Sequence, residues 1–271
     1  MGSAKGDKYD LAESDLKSFT RSSIRTKVML TLLSGSKTAR EMAGIIDTRE
    51  TTILHSVSDL FEGDLVEKKQ QEYNLTSIGK IQAILLDELV NTIATIREHP
   101  DFWLQHDISG IPADLQKRIG MLGQGEIIRD TLETPLKSLD YFIETLSLSK
   151  EIFGVSPVVV RGYPEAISHI VNNGAHVELI LTNAVLKVVI TERKEILNKL
   201  LERSNFKLFS IDQNVKLAFT VTDSFLNLGL SRIDGSYDLG TDLVYSGDTA
   251  IQWGKMLYRH YRSLSNQLEN V

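Results

Sequence analysis

Residues 37–80 read KTAREMAGIIDTRETTILHSVSDLFEGDLVEKKQQEYNLTSIGK, and their spacing decides the architecture of the first third of the chain. Met42, Ala43 and Ile46 fall on one helical face, which predicts a short helix over residues 37–46. Asp47 and Thr48 are residue types that cap a following helix. Ile53, Val57 and Leu60 then recur at i, i+4 and i+7, predicting a second helix over Arg49–Phe61 that Gly63 breaks. After it, Leu65 and Val66 enter a strand, a polar tip follows, and Tyr73 and Leu75 alternate back. Upstream, Ile24, Val28, Met29, Leu32 and Leu33 make residues 22–33 a helix, which Ser34-Gly35-Ser36 ends. Three helices followed by a hairpin with a charged tip is the order of a winged helix-turn-helix.

Beyond this head, Ile78, Ile81, Leu85, Leu89, Ile93 and Ile96 form a stripe at helical spacing, so Ser77 to Glu98 reads as one long helix that Pro100 ends. Such a stripe forms a dimer seam or packs on its own domain. From Ile108 onward short apolar runs alternate with helical patterns. The expected strands are Glu126–Arg129, Ile152–Val160, Val177–Thr182, Phe206–Ile211, Lys216–Val221 and Leu226–Ile233, the last two adjacent and antiparallel. The expected helices are Leu136–Leu148, Pro164–Asn172, Glu192–Ser204 and Ala250–Leu268. This alternation argues an α/β sheet with helices on its faces. The expected organisation is a tail or lead helix over 1–19 (its first few residues a flexible tail), a winged-helix head over 20–76, a linker or dimerisation helix over 77–99, and a C-terminal α/β sensor-like domain over 100–271.

The 271 residues carry a net charge of −6, which weighs against a polyanionic partner. The charge is uneven, however. Between Lys17 and Arg49 seven basic residues face only Glu41 and Asp47. That patch suits DNA, because only the contacting face has to neutralise phosphates, and a solvated charged face explains it equally well. The absence of cysteine excludes disulfides and thiolate metal sites, and no two histidines have metal-ligand spacing. No metal or cofactor is expected. No run approaches the roughly 18 apolar residues of a spanning helix, and Met1–Asp10 has no apolar core of a signal peptide, so a cytoplasmic location without membrane attachment is expected.

A helix-turn-helix reads DNA with short polar side chains on the outer face of its second helix. Here those are Arg49, Thr51, Thr52, His55 and Ser56. Arginine pairs with guanine edges, threonine meets a thymine methyl or a phosphate, and histidine makes polar contacts of either kind. Lys37, Thr38 and Arg40 would sit beside the phosphate backbone, where a helix N-terminus adds N–H donors. Lys68 and Lys69 would lie at the wing tip. The expected partner is double-stranded DNA, with the protein as a homodimer. The alternatives are a winged helix that binds protein and, third, an enzyme of phosphodiester chemistry with an appended head.

Residues 37–80, with the wing exit YNLTSIGK over 73–80, resemble archaeal winged-helix regulators of the ArsR-like type. Downstream, HDISGIP, SKEIFGVSPVV, VELILT, KLAFTVTDSFLNLGL and YDLGTDLVYSGDTAIQWG are similar to the methanogenesis-regulatory domain of methanogenic archaea. The resemblance covers about residues 20–268 and implies a transcription regulator whose head binds DNA and whose C-terminal domain senses a signal or mediates assembly. It implies no particular ligand.

Other features carry less. Gly120-Met121-Leu122-Gly123-Gln124-Gly125 lacks the dinucleotide-binding spacing and reads as a turn before a strand. The C-terminal half is also distantly similar to phospholipase D-like scaffolds, but no histidine has the lysine two residues on that this chemistry needs. Asp212, Asp223, Asp234, Asp238, Asp242 and Asp248 read as acidic turn residues or, alternatively, a cation or ligand site. Tyr237, Tyr245, Trp253, Tyr258 and Tyr261 read as core or interface aromatics. A small-molecule effector pocket, if the α/β domain has one, is expected beside Arg161 and Tyr163 at the strand C-terminal ends.

Overall fold

The computed structural model describes residues 3–160 and 162–270, and the backbone alone of residues 3–7 and 18–20. Two compact units, Met1–Val90 and Asn91–Val271, divide the chain. The first opens with helix α1 (Ser3–Thr20), so the expected tail is helical from Ser3, and α1 lies against α2 (Ser23–Leu32). The rest of the unit is a short strand β1 (Lys37–Thr38), helices α3 (Ala39–Ile46) and α4 (Glu50–Glu62), and the hairpin β2 (Val66–Lys69) and β3 (Glu72–Leu75). Val28, Met29, Leu32, Met42, Ile53, Val57, Leu60 and Leu65 fill one core between them. The three strands form an antiparallel sheet in the order β1-β3-β2.

Two local expectations change. The helix expected from Lys37 starts at Ala39, because Lys37 and Thr38 pair with Tyr73 and Glu72 as an edge strand. Thr38 then caps α3 in a reciprocal capping box with Glu41. The Glu41 N–H donates to the Thr38 hydroxyl, while the Thr38 N–H, at 2.7 Å, and the Thr38 hydroxyl, at 2.8 Å, donate to the Glu41 carboxylate, and these last two bonds hold the Glu41 pKa below its ordinary value. Asp47 and Thr48 do not cap α4; Asp47 ends α3 in the left-handed conformation (φ 57°) and Arg49 takes the N-cap position with no side-chain bond. Loss of the capping box in Thr38→Ala should destabilise the first unit by about 1 kcal/mol, read as a lower denaturation midpoint.

Helix α5 (Ser77–Glu98) spans the boundary between the units. The second unit continues with α6 (Pro100–Gln105) and α7 (Ala113–Gln116), then strand β4 (Glu126–Arg129), α8 (Lys137–Ser147), β5 (Glu151–Ser156), α9 (Tyr163–Asn172), β6 (His176–Thr182), α10 (Asn183–Leu201) and β7 (Phe206–Ile211). It ends with β8 (Leu217–Thr222), β9 (Leu226–Leu230), β10 (Thr241–Tyr245), α11 (Asp248–Ser263) and β11 (Asn266–Leu268). The strands form one mixed sheet, β11-β7-β6-β5-β8-β9-β10-β4. Among the described strands, β5 with β6 and β6 with β7 are the parallel neighbours, and the other neighbouring pairs are antiparallel.

Strands β5 and β9 end at Ser156 and Leu230, short of the expected Val160 and Ile233. α10 begins at Asn183, nine residues before the expected Glu192, because the Thr182 hydroxyl caps it and the β-branched VVIT run stays helical up to a kink at Arg193. The terminal helix stops at Ser263 rather than Leu268, since residues 266–268 add an edge strand to β7. β10, which the sequence reading does not anticipate, inserts between β9 and β4.

Each face of this sheet has its own core. On one, Phe219, Val221, Leu226 and Leu228 pack with Trp253, Leu257 and Tyr261 of α11. On the other, Ile152, Val177, Leu179 and Leu208 pack with residues of α8, α9 and α10. Strands alternate sides, so the partners of Leu217, Phe219 and Val221 on the second face are Ala218, Thr220 and Thr222, and those of Leu226, Leu228 and Leu230 are Asn227, Gly229 and Ser231. That small, polar part of the second face leaves space under the helices.

Candidate nucleic-acid interface and internal cavity

Arg49, Thr51, Thr52 and His55 are exposed on the outer side of α4, the first of them at the N-cap. Ser56, expected among them, is 7% exposed and belongs to the inner face with Ile53, Val57 and Leu60. Its spacing three residues from Ile53 and four from Leu60 was the signal that should have placed it inside. Leu54, which the sequence reading did not assign, is exposed on the same helix. The His55 ring lies 3.7 Å from Asp59, and Asp59 accepts from Arg25 of α2 at 3.2 Å. These contacts tie one end of the polar face to α2.

Arg40 is exposed in the first turn of α3. Around it the sheet register sorts the lysines. Lys37, Tyr73 and Lys68 form one cross-strand row, and Thr38, Glu72 and Lys69 form the next, pointing the opposite way. Lys68 lies over the Tyr73 ring at 5.4 Å from its centre. Lys69 forms an exposed ion pair with Glu67 at 2.6 Å and shares its side of the sheet with Glu72. Its charge is therefore largely compensated, whereas Lys37 and Lys68 face the same way around Tyr73. The turn between β2 and β3 is tight, with Gln70 at φ 58°.

In the second unit a cavity of about 420 Å³ opens where the sheet face is polar. Its walls are mostly aliphatic and aromatic, including Phe142, Val155, Leu179, Leu181 and Leu239. Tyr163 lines it, on the first turn of α9 just past the C-terminal end of β5. Arg161 lies outside the described residues. Thr220, Asn227 and Asp242, on the adjacent strands β8, β9 and β10, form the polar floor together with Tyr237 and Asp130. Asp242 thus stands in a strand rather than in a turn. The Asn227 side-chain amide donates to it at 3.4 Å. Burial, with the charges of Asp238 and Asp130 adding to it, raises the Asp242 carboxyl to about 6. Burial likewise holds the Tyr163 hydroxyl up at about 12. Gly229 is essential to this floor, because a Cβ there would run into the Tyr237 hydroxyl and stand 2.9 Å from Asp242 Oδ1.

Three of the other acids make structural bonds. Asp223 accepts the Lys150 and Glu151 N–H groups, Asp234 caps its own turn through Ser236, and buried Asp238 accepts from Arg232 at 2.9 Å and contacts His106 at 3.3 Å. Asp130 accepts both the backbone N–H and the hydroxyl of Ser138, at 2.9 and 2.8 Å. Tyr245, Trp253, Tyr258 and Tyr261 are core residues; of the singled-out aromatics, Tyr237 reaches the cavity. The glycine-rich stretch is a 3-10 turn, Ile119–Leu122, before β4. Gly120 packs there against the backbone of Asn91 and Thr92.

Residues 13–94 match the family model described as methanogenesis regulatory protein FilR1, N-terminal domain, and residues 135–264 match that of the FilR1 middle domain. The chain belongs to the FilR1 family. The first FilR1 match ends within α5 and the second begins just before α8, and between them they cover well over half of the chain's length. Methanogenesis regulatory protein FilR1 of Methanothrix harundinacea (strain 6Ac) is 32% identical over 261 residues, which are 94% of this chain and 58% of that protein. The chain therefore spans less than two thirds of the FilR1 relative. Among solved structures, TrmBL2, an archaeal chromatin protein whose structure shows a novel mode of DNA binding, aligns with a TM-score of 0.44 at 13% identity over 89% of this chain and 92% of its own. Nuc of Salmonella typhimurium, a phospholipase D family member, aligns with a TM-score of 0.41 at 9% identity, over 54% of this chain and 100% of its own. Membership of a regulatory family rests on the FilR1 matches alone. No helix among the described residues is long and apolar enough to cross a membrane.

Proposed function

We propose that the chain is a cytoplasmic transcription regulator that binds double-stranded DNA as a homodimer and carries no catalytic activity. In this reading the first unit is a winged helix-turn-helix head, α5 is the linker and dimer seam, and the second unit is the effector domain. The observation that carries it is the outer face of α4, where Arg49, Thr51, Thr52 and His55 are all exposed at the N-terminal end of a helix that is packed along its other side. That face fits a major groove, with Arg49 positioned for a base edge and Leu54 able to meet a thymine methyl. Thr38 and Arg40 stand at the N-terminus of α3, where phosphate is favoured. Lys37 and Lys68 supply the positive side of the wing.

The test is titration of the full chain onto genomic fragments recovered with it, followed by fluorescence anisotropy at several salt concentrations. Arg49→Ala should lose about 1–3 kcal/mol of specific binding. Lys68→Ala should weaken binding to all sequences and lower the salt slope by about one. Lys69→Ala should do less, because Glu67 already neutralises it. Unchanged curves for Arg49→Ala and Lys68→Ala, with the fold intact, would eliminate this docking mode. A second reading rests on Ile45, Leu54 and Phe61, three large apolar side chains exposed on α3 and α4. A head that used them to bind protein would show little salt dependence.

A further inference from the structure

The cavity of the second unit combines two features that point to one kind of ligand. Its walls are apolar and large enough for a small organic molecule. Its polar end is acidic: Asp242 and Asp130 both line it, and no lysine, arginine or histidine stands among the described lining residues. The two acids differ in what they have to accept. Asp130 is engaged by the two Ser138 donors, so its carboxylate is held in place by the start of α8. Among the described residues Asp242 accepts one long bond, from Asn227, and the neighbouring Asp238 directs its own oxygens to Arg232, His106 and the Gly240 N–H. Around Asp242 stand groups that can accept as well as donate, the hydroxyls of Tyr163, Tyr237 and Thr220. A half-buried carboxylate with no cation among the described residues of its cavity is costly, and a ligand that brings a cation with N–H donors reduces that cost.

We propose that this cavity binds a small amphipathic amine in its ammonium form, the ammonium seated on Asp242 among Tyr163, Tyr237 and Thr220, and the apolar body lying against Phe142, Leu179 and Leu181. An anionic ligand is disfavoured by Asp242 and Asp130. A sugar is disfavoured because most of the lining residues are aliphatic or aromatic. Gly229 is the residue that makes the seat, since any side chain there would fill the space between Tyr237 and Asp242. The proposal deepens the effector-domain reading of this unit and is independent of whether the head reads DNA, because amine binding is measured without DNA.

The experiment is calorimetric titration of the full chain at neutral pH with n-octylamine, n-octanol and n-octanoate, which share one apolar body and differ in the charge of the head. Octylamine should bind at least about tenfold more tightly than octanol, the strength of one charge-assisted contact, and octanoate most weakly. Asp242→Asn keeps the shape and removes the charge, and it should bring octylamine down to the level of octanol. Val158→Trp, which puts a large ring on a lining residue and leaves Asp242 in place, should abolish binding of both. The proposal is overturned by octanol or octanoate binding as tightly as octylamine to the wild-type chain, by no octylamine binding at millimolar concentration, or by an amine preference that survives in folded Asp242→Asn. Loss of operator binding with amine binding intact would instead count against the DNA reading alone.

Discussion

Gly79→Ala should unfold the first unit at temperatures where the wild-type unit is intact. Gly79 is buried in the first turns of α5, and a Cβ on it would be driven into the Leu65 carbonyl oxygen and stand 2.8 Å from the carbonyl carbon. Neither partner can give way cheaply. The Leu65 carbonyl accepts the Thr76 N–H at 3.0 Å, the Leu65 N–H donates to Leu60 at 2.9 Å, and Val66 next to it starts the pairing of β2 with β3. On the other side the Gly79 N–H donates to the Thr76 hydroxyl at 3.0 Å, and that hydroxyl donates to the Asp64 carbonyl at 2.6 Å. Glycine is thus the condition for α5 to start directly beneath the wing. Forcing two backbones apart in a packed site costs about 3 kcal/mol or more. In a unit of this size that is on the order of 10–20 °C in Tm. Lys80→Ala, on the exposed neighbour, should stay within about 0.5 kcal/mol of wild type. Circular dichroism melting of the two variants checks this, and equal melting temperatures would show that the close approach does not exist in solution.

Leu89→Glu should convert the protein from dimer to monomer without unfolding it. Ile78, Ile81, Leu85, Leu89, Ile93 and Ile96 are all exposed in the single chain, between 38% and 63%. Six large apolar side chains in one helical stripe form a patch of the kind that covers itself by association. A second copy of α5 is the partner its repeat suits, because the 3–4 spacing of the stripe is that of a two-helix seam. Leu89 is central, so a dimer would bring two glutamates into a dry contact, at about 3–5 kcal/mol. In the monomer the same glutamate stands in water and costs little. Operator affinity should fall roughly 100-fold or more, since two heads about one helical turn apart no longer bind together. Analytical ultracentrifugation of both proteins at micromolar concentration decides it. A monomeric wild type would refute the dimer, and a fully dimeric Leu89→Glu would place the seam on another surface.

The elements read most accurately are those whose own side chains carry the whole signal. α5 was legible to the residue because six apolar positions and a terminating proline lie in one contiguous stretch. The outer face of α4 was legible for the same reason, apart from Ser56, whose small polar side chain sits in an inner row set by Ile53 and Leu60. Asp47 and Thr48 misled because capping residue types also suit a left-handed helix end, and which role they take depends on where α3 stops. β1 and β11 were missed because two or three residues carry no periodicity; they are strands only through their partners β3 and β7.

Alone, then, the amino-acid sequence determined the order of the head, the long helix, the alternation of strands and helices behind it, and the exposed polar face of α4, all of which follow from spacings within about 20 residues. It also held the strict alternation of LAFTVT and LNLGL, from which a polar sheet face can be read. The tertiary structure alone decided that this face is floored by Asp242 and Tyr237, that Tyr163 closes on it from α9, and that the wing lysines point to opposite sides. The reason is that a cavity is made by residues far apart in the chain. Asp130, Tyr163, Asn227 and Asp242 meet only because β4, β10, β9, β8 and β5 pair in that order, and no local pattern encodes which strand lies next to which.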